Sequence, residues 1–203
     1  MSEVKNLDFA QKQGSGRKVF LLLALVFVLP FTIAVLLHVL DIRPSGKSFG
    51  KLISPPVSLV IPTLENSQGK QVTAADWQKK WNIVLIAVTD CDNSCIDKLD
   101  LVSRVHASLN KEIDRVQRIL ILPTLTTQAS IAAIQKKLPD LIILTSADNT
   151  ANQFATKIKA SAPAEGLYLV DPLGNLMMVY PNKIEPKELR GDLVRLLKNS
   201  WAA

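Results

Sequence analysis

Residues 19–40 set the first constraint on this chain. These 22 positions carry no formally charged side chain and are dominated by Leu, Val, Phe, Ala and Ile. A helix rising 1.5 Å per residue covers about 30 Å over such a length, the depth of a bilayer's hydrocarbon core. Core helices of water-soluble domains rarely stay apolar on every face for so long. A cleaved export signal would have a shorter apolar stretch and a small-x-small cleavage site, whereas Leu40 leads into Asp41-Ile42-Arg43-Pro44. The segment is therefore expected to be a retained transmembrane helix, kinked by Pro30 near its middle. Arg17-Lys18 abuts the run on one side, and the first charge on the other is Asp41. Positive residues mark the cytoplasmic side, so the expected topology is single-pass with a cytoplasmic N-terminus. The rest of the chain would then face a bacterial periplasm, anchored in the inner membrane, where disulfides persist.

The run divides the chain. Residues 1–18, with Gly14-Ser15-Gly16, read as a cytoplasmic tail, and residues 41–56, with three prolines and two glycines, as a linker. Residues 57–203 carry the signals of a folded domain. The net charge of +6 comes from scattered basic residues, and only 5% of residues are aromatic. That pattern argues against nucleic acid as a partner and suits a surface beside anionic membrane lipid.

Strand and helix signals alternate through the domain. Val57–Ile61 alternates weakly, and Thr73 is a candidate N-cap for a short helix over 74–81, with Asp76 as its capping-box acid. Residues 82–89 are almost continuously apolar, as expected of a strand covered on both faces. A helix is predicted from about Asp92 to Asn110, with Leu99, Val102, Val105, His106 and Leu109 at helical spacing. Strand 116–122, helix 128–138, strand 141–144 and helix 147–160 follow. Residues 166–171 and 176–180 flank Pro172-Leu173-Gly174-Asn175 and read as a β-hairpin. An amphipathic helix over 185–201 ends the chain. The order implies an α/β fold, a mixed sheet with helices on both faces in the thioredoxin-like arrangement.

Cys91 and Cys95 are the only cysteines. They follow the apolar run Ile83–Val88 directly, so both sulfurs are expected at a helix N-terminus. Unpaired N–H groups and the helix dipole favour thiolate there. A thiolate serves as a redox nucleophile and as a soft metal ligand. One helical turn would set the two Cα atoms about 6 Å apart, toward the long end of the disulfide range. So short a loop gains little from cross-linking, which makes a purely structural bridge a poor reason for the pair. A redox pair and a Cu(I) site on Cys91 and Cys95 both remain open, as do inert thiols. Asp92, inside the motif, is expected to raise the thiol pKa against the helix dipole.

Other ligands fit poorly. His106 lies eleven residues beyond Cys95, about 16 Å along a helix, while a metal bond is about 2 Å long. It reads as a structural histidine, and His38, near the outer end of the span, as interfacial. Only one of Met177 and Met178 can face inward on a strand, where methionine is usually core filler. Asp90 and Glu165 offer hard oxygen donors, mismatched to Cu(I). No Gly-rich phosphate loop, His-Glu-x-x-His or Gly-x-Ser-x-Gly occurs. Ser94 has no obvious histidine base, and Trp77, Trp81 and Trp201 read as packing residues.

Thr89-Asp90-Cys91-Asp92-Asn93-Ser94-Cys95 after a buried strand, with Tyr168-Leu169-Val170-Asp171-Pro172-Leu173-Gly174, resembles the Sco family. These are membrane-anchored thioredoxin-fold factors that help build the copper site of cytochrome oxidase. The likeness covers roughly residues 55–200. Asp92 and Ile96 stand where the family has prolines. The stretch Ser161-Ala162-Pro163-Ala164-Glu165-Gly166 lacks the histidine that the family uses as a third copper ligand. Phe49 to Pro56 resembles a run in small membrane proteins associated with bacterial oxidase assembly. The resemblance implies a divergent thiol–disulfide protein in which Cys91 attacks and Cys95 resolves. It also implies an oxidase subunit or a copper chaperone as partner. A Cu(I)-binding module with a partner-supplied ligand and a non-catalytic membrane scaffold are its alternatives.

Overall fold

The computed structural model describes residues 15–40, 48–87, 91–122, 126–146, 148–162 and 166–200. The first 14 residues of the tail, the tether over 41–47, Thr89, Asp90, residues 163–165 and Trp201 lie outside them. Two units form, over 1–46 and 47–203.

In the first unit, α1 (Ser15–Val39) contains the whole charge-free run but Leu40. Its residues Gly16–Leu37 are long and apolar enough to cross a membrane, with mean hydropathy 3.0 and none of that surface buried. Pro30 has no N–H to give back to the preceding turn. The side chain of His38 is not among those described.

The second unit is an eight-stranded mixed sheet in the order β1-β8-β7-β4-β5-β6-β2-β3. At its centre, β4 (Trp81–Ile86) pairs parallel with β5 (Val116–Ile121) and antiparallel with β7 (Leu167–Val170). Every residue of β4 is buried, which explains its apolar sequence from Ile83 onward, and the buried Asn82 donates through Nδ2 to the carbonyls of Trp77 and Lys80. Strand β6 (Ile142–Thr145) continues the parallel half, and the short β2 (Leu64–Asn66) and β3 (Gln71–Val72) finish that edge. Strands β7 and β8 (Asn175–Tyr180) form the expected hairpin. Gly174 turns it with φ +88°, which glycine adopts without penalty, and the Asp171 carboxylate accepts from the N–H groups of Leu173 and Asn175.

Helices cover both faces. On one, α3 (Asn93–Ala107), α4 (Gln128–Lys137) and α6 (Pro186–Asn199) bury Leu99, Val102, Val105, Ile131, Ile134, Leu189 and Leu193 in a single cluster. On the other, α2 (Ala74–Trp77) and α5 (Thr150–Ser161) bury Trp77, Phe154 and Ile158. The Trp77 and Phe154 rings meet edge to face with centroids 5.8 Å apart. Helix α2 is shorter than expected, because Lys79 takes φ +69° and Trp81 already belongs to β4. A 3₁₀ turn, Asn110–Arg115, leads into β5.

The tether reading needs correction. Residues 51–56 belong to the sheet, in β1 (Lys51–Ser58), which pairs antiparallel with β8. Pro55 and Pro56 carry no N–H, and the register shifts between Leu52 and Val57 where they stand. The domain therefore begins before residue 57. Its first turn is held by Asp192 of α6, only 3% exposed. Asp192 Oδ2 accepts from the N–H of Phe49 and of Gly50, each at 2.9 Å, and from Ser48 Oγ at 3.3 Å. Gly50 lies against the Tyr180 ring, where a Cβ would come within 2.6 Å of Cε1. Burial first, and then the neighbouring Asp192 charge, push the Tyr180 hydroxyl well above its ordinary range, so it stays protonated.

His106 is structural, as expected. Its Nε2 faces the carbonyl oxygens of Ile113 (3.1 Å) and Val116 (2.9 Å), so that nitrogen carries the proton. Its Nδ1 lies 3.9 Å from Asp140, which also pairs with Arg118, a guanidinium on β5 that is 3% exposed. Burial pushes the Asp140 carboxyl upward, but the hydrogen bond and charge of Arg118 outweigh it and hold the group below its ordinary 3.8. A depressed carboxyl stabilises the fold above its unfolded value and loses that contribution as pH falls through its folded value. Unfolding by urea at pH 7 and at pH 3 should therefore show an acid loss that Asp140→Asn reduces, with the variant already weaker at pH 7.

Candidate functional site: a disulfide at the start of helix α3

The mouth of the site is built where the parallel strands end. Strand β4 delivers the chain to Cys91, and α3 carries it back down the sheet. Asp92 is the N-cap, extended at φ −74° and ψ −177°, and its Oδ1 accepts from the N–H of Cys95 at 2.9 Å. Cys91 thus lies just outside the helix and Cys95 in its first turn.

The two sulfurs form a disulfide, with Cα atoms 5.2 Å apart. That is shorter than the spacing of one full helical turn. The bridge is asymmetric. Cys95 is 7% exposed and belongs to the core cluster of α3 and α6, while Cys91 is half-buried at its margin.

Asp92 is the cap of α3 as well as a charge inside the motif. Its carboxylate is spent on the helix terminus, where it satisfies one of the free N–H groups. It stands where a proline would have offered no such acceptor. Both methionines pack at the same core cluster, Met178 buried at 3% and Met177 half-buried. Met178 receives the Tyr180 hydroxyl at 4.0 Å from its sulfur, as core filler would. Among the described residues no group of three or more His, Cys, Asp and Glu could hold a metal. Asp90 and Glu165 lie outside them. Cys91 and Cys95 are the two soft donors the site supplies, and in reduced form that set suits two-coordinate Cu(I).

An open cleft of about 560 Å³ runs from Ser94, inside the cysteine motif, past Leu101 to the loop Asn182–Glu185. The hairpin places that loop here. Leu167 pairs with Tyr180, so β8 ends at the cysteine side of the sheet. Gly166, at the same end, approaches the Tyr180 carbonyl so closely that a Cβ would collide with it. That 182–185 faces Ser94 across this cleft was not legible beforehand, since only strand register brings it there.

A central β-α step ending in a paired dithiol, a closing hairpin and helices on both faces define a thioredoxin-like protein. Residues 81–200 match the family described as transmembrane-like, thioredoxin-like, C-terminal domain, and the chain belongs to that family. No curated protein matches it. Among solved structures it is similar to yeast Sco1 with copper bound, with TM-score 0.58 and 20% identity over 77% of this chain and 92% of that one. It is also similar to Bradyrhizobium japonicum ScoI with copper bound, with TM-score 0.52 and 23% identity over 70% and 98%. A third is BsSco, a Sco-family cytochrome c oxidase assembly protein with a disulfide switch, with TM-score 0.56 and 16% identity over 72% and 96%. The fold is that of the Sco proteins.

Proposed function

We propose that this chain is a membrane-anchored, Sco-like thiol–disulfide protein that assists assembly of the copper site of cytochrome c oxidase. The observation that carries the reading is the asymmetric bridge, with a reachable Cys91 and a buried Cys95 at a helix start. In the reduced protein the Cys91 thiolate attacks one sulfur of a partner disulfide and the partner's other sulfur leaves as thiolate. Cys95 then gives up its proton and attacks Cys91, which releases the partner as a dithiol and restores the bridge seen here. Two electrons pass to the partner, and a dithiol reductant must return them. Helix α1 supplies the anchor, inserted with its N-terminus on the cytoplasmic side and the thiol domain in the periplasm. Its length and apolar composition support the anchor, and Arg17-Lys18 beside the run supports the orientation.

Replacing both cysteines by alanine in the full chain separates chemistry from scaffolding. Oxidase assembly, read as the copper-site absorbance of the purified oxidase, should fall to the level of a deletion strain. Full assembly with the double variant would leave only the scaffold reading.

A second reading treats copper as cargo, held by reduced Cys91 and Cys95 while a partner supplies any third ligand. The copper-bound state of the solved Sco structures favours considering it. Titration of the reduced chain with Cu(I) against a competing chelator should then show binding tighter than a simple dithiol peptide achieves. Equal affinity would remove this reading and leave the thiol exchange standing.

A further inference from the structure

A second hollow of about 230 Å³ lies further along α3 and α6, floored by Val105 and Pro186 and walled by Arg104, Lys187 and Arg190. Its lining neighbours that of the cleft along both walls. Leu101 and Arg104 are one turn apart on α3, and Glu185 and Pro186 are consecutive. The charge along this path is uneven. Near the disulfide Asp97 and Glu185 balance Lys98 and Lys183, whereas the far half has three cations and no acid in its lining. None of those three cations is ion-paired to an acidic side chain among the described residues. Like charges gathered around an apolar floor repel one another, and a negatively charged occupant relieves that repulsion.

We propose that the α3–α6 groove docks an extended acidic segment of the thiol partner, which lays its cysteine on Cys91. This rests on the thiol-exchange reading and adds the partner's chemistry to it. From Cys91 to Arg104 is about 20 Å at 1.5 Å per residue. An extended peptide advances about 3.3 Å per residue. The partner's Asp or Glu residues therefore fall about six positions from its reacting cysteine. Spacing of this kind selects a partner without a shape-matched pocket, since long-range attraction brings the segment in and the apolar floor seats it.

The test uses the full chain in neutral detergent micelles with its disulfide intact. The probe is a fluorescent ten-residue peptide with four Asp or Glu residues and serine in place of cysteine, so that binding is read without thiol chemistry. Fluorescence anisotropy at low salt should show binding that weakens at least tenfold in the double variant Arg104→Glu/Arg190→Glu. The matched charge change Lys157→Glu/Lys159→Glu on α5, across the sheet, should leave it within about twofold. Equal loss in both variants, equal binding of the Asn/Gln version of the peptide, or binding to anionic vesicles that depends on Arg104 and Arg190 while the peptide does not bind, would overturn the proposal. The thiol reading is scored separately, by exchange of the reduced chain with a small uncharged disulfide, which the Arg104 and Arg190 substitutions should not slow.

Discussion

Cys95→Ser in the full chain should accumulate a mixed disulfide with a thiol partner, and Cys91→Ser should accumulate none. The contrast should be close to all-or-none on a non-reducing gel, the largest functional effect any substitution here is expected to have. It follows from the two environments. Cys91 is half-buried before the N-cap, at the margin of the core cluster. Cys95 sits in the first turn with 7% of its surface exposed. A thiol so enclosed can reach only Cys91, which is the geometry of a resolving group. Without it the first exchange proceeds and the second cannot. Without Cys91 the first does not begin. Equal trapping by both variants, or trapping by Cys91→Ser alone, would overturn the assignment of roles.

The largest structural loss should come from Asp192→Ala. One buried oxygen serves three donors of Ser48, Phe49 and Gly50. Alanine leaves two main-chain N–H groups without an acceptor beside the Tyr180 ring, and each such orphan costs about 1–3 kcal/mol. Destabilisation of about 3 kcal/mol or more is expected, read as a lower urea midpoint from the fluorescence of buried Trp77 and Trp81. Asp192→Asn keeps an oxygen acceptor and should lose less. Hydrogen exchange at the Gly50 amide should rise in both, because the start of β1 is released before the rest of the sheet. A midpoint unchanged in the alanine variant would show that water replaces the carboxylate without cost.

The sequence carried some of this and hid the rest, for reasons that differ residue by residue. Strand β4 was legible because burial on both faces leaves it apolar from Ile83 onward. The hairpin was legible because Asp171-Pro172-Leu173-Gly174 spells its own turn. The cysteine pair was legible because nothing else in the chain carries sulfur of that kind. Strand β1 was not, because Pro55-Pro56 is tether chemistry by every local rule and only pairing with β8 makes it a strand. Asp192 looked like one more charge on an amphipathic helix. Its place between Leu189 and Leu193, on the apolar side, was the signal that it faces inward. The capping role of Asp92 was legible in residue type but was passed over, because the helix was expected to begin at Asp92 and it begins one residue later.

Pro55 and Pro56 have one more consequence. They stand on the outermost strand on one side, and the opposite margin is the two-residue β3. Neither border offers a row of free amides long enough to template another chain's backbone. A visiting chain finds no border on which to zip as a further strand, and neighbouring copies cannot stack border to border into fibres. Recognition is left to side chains, and each copy stays discrete from its neighbours.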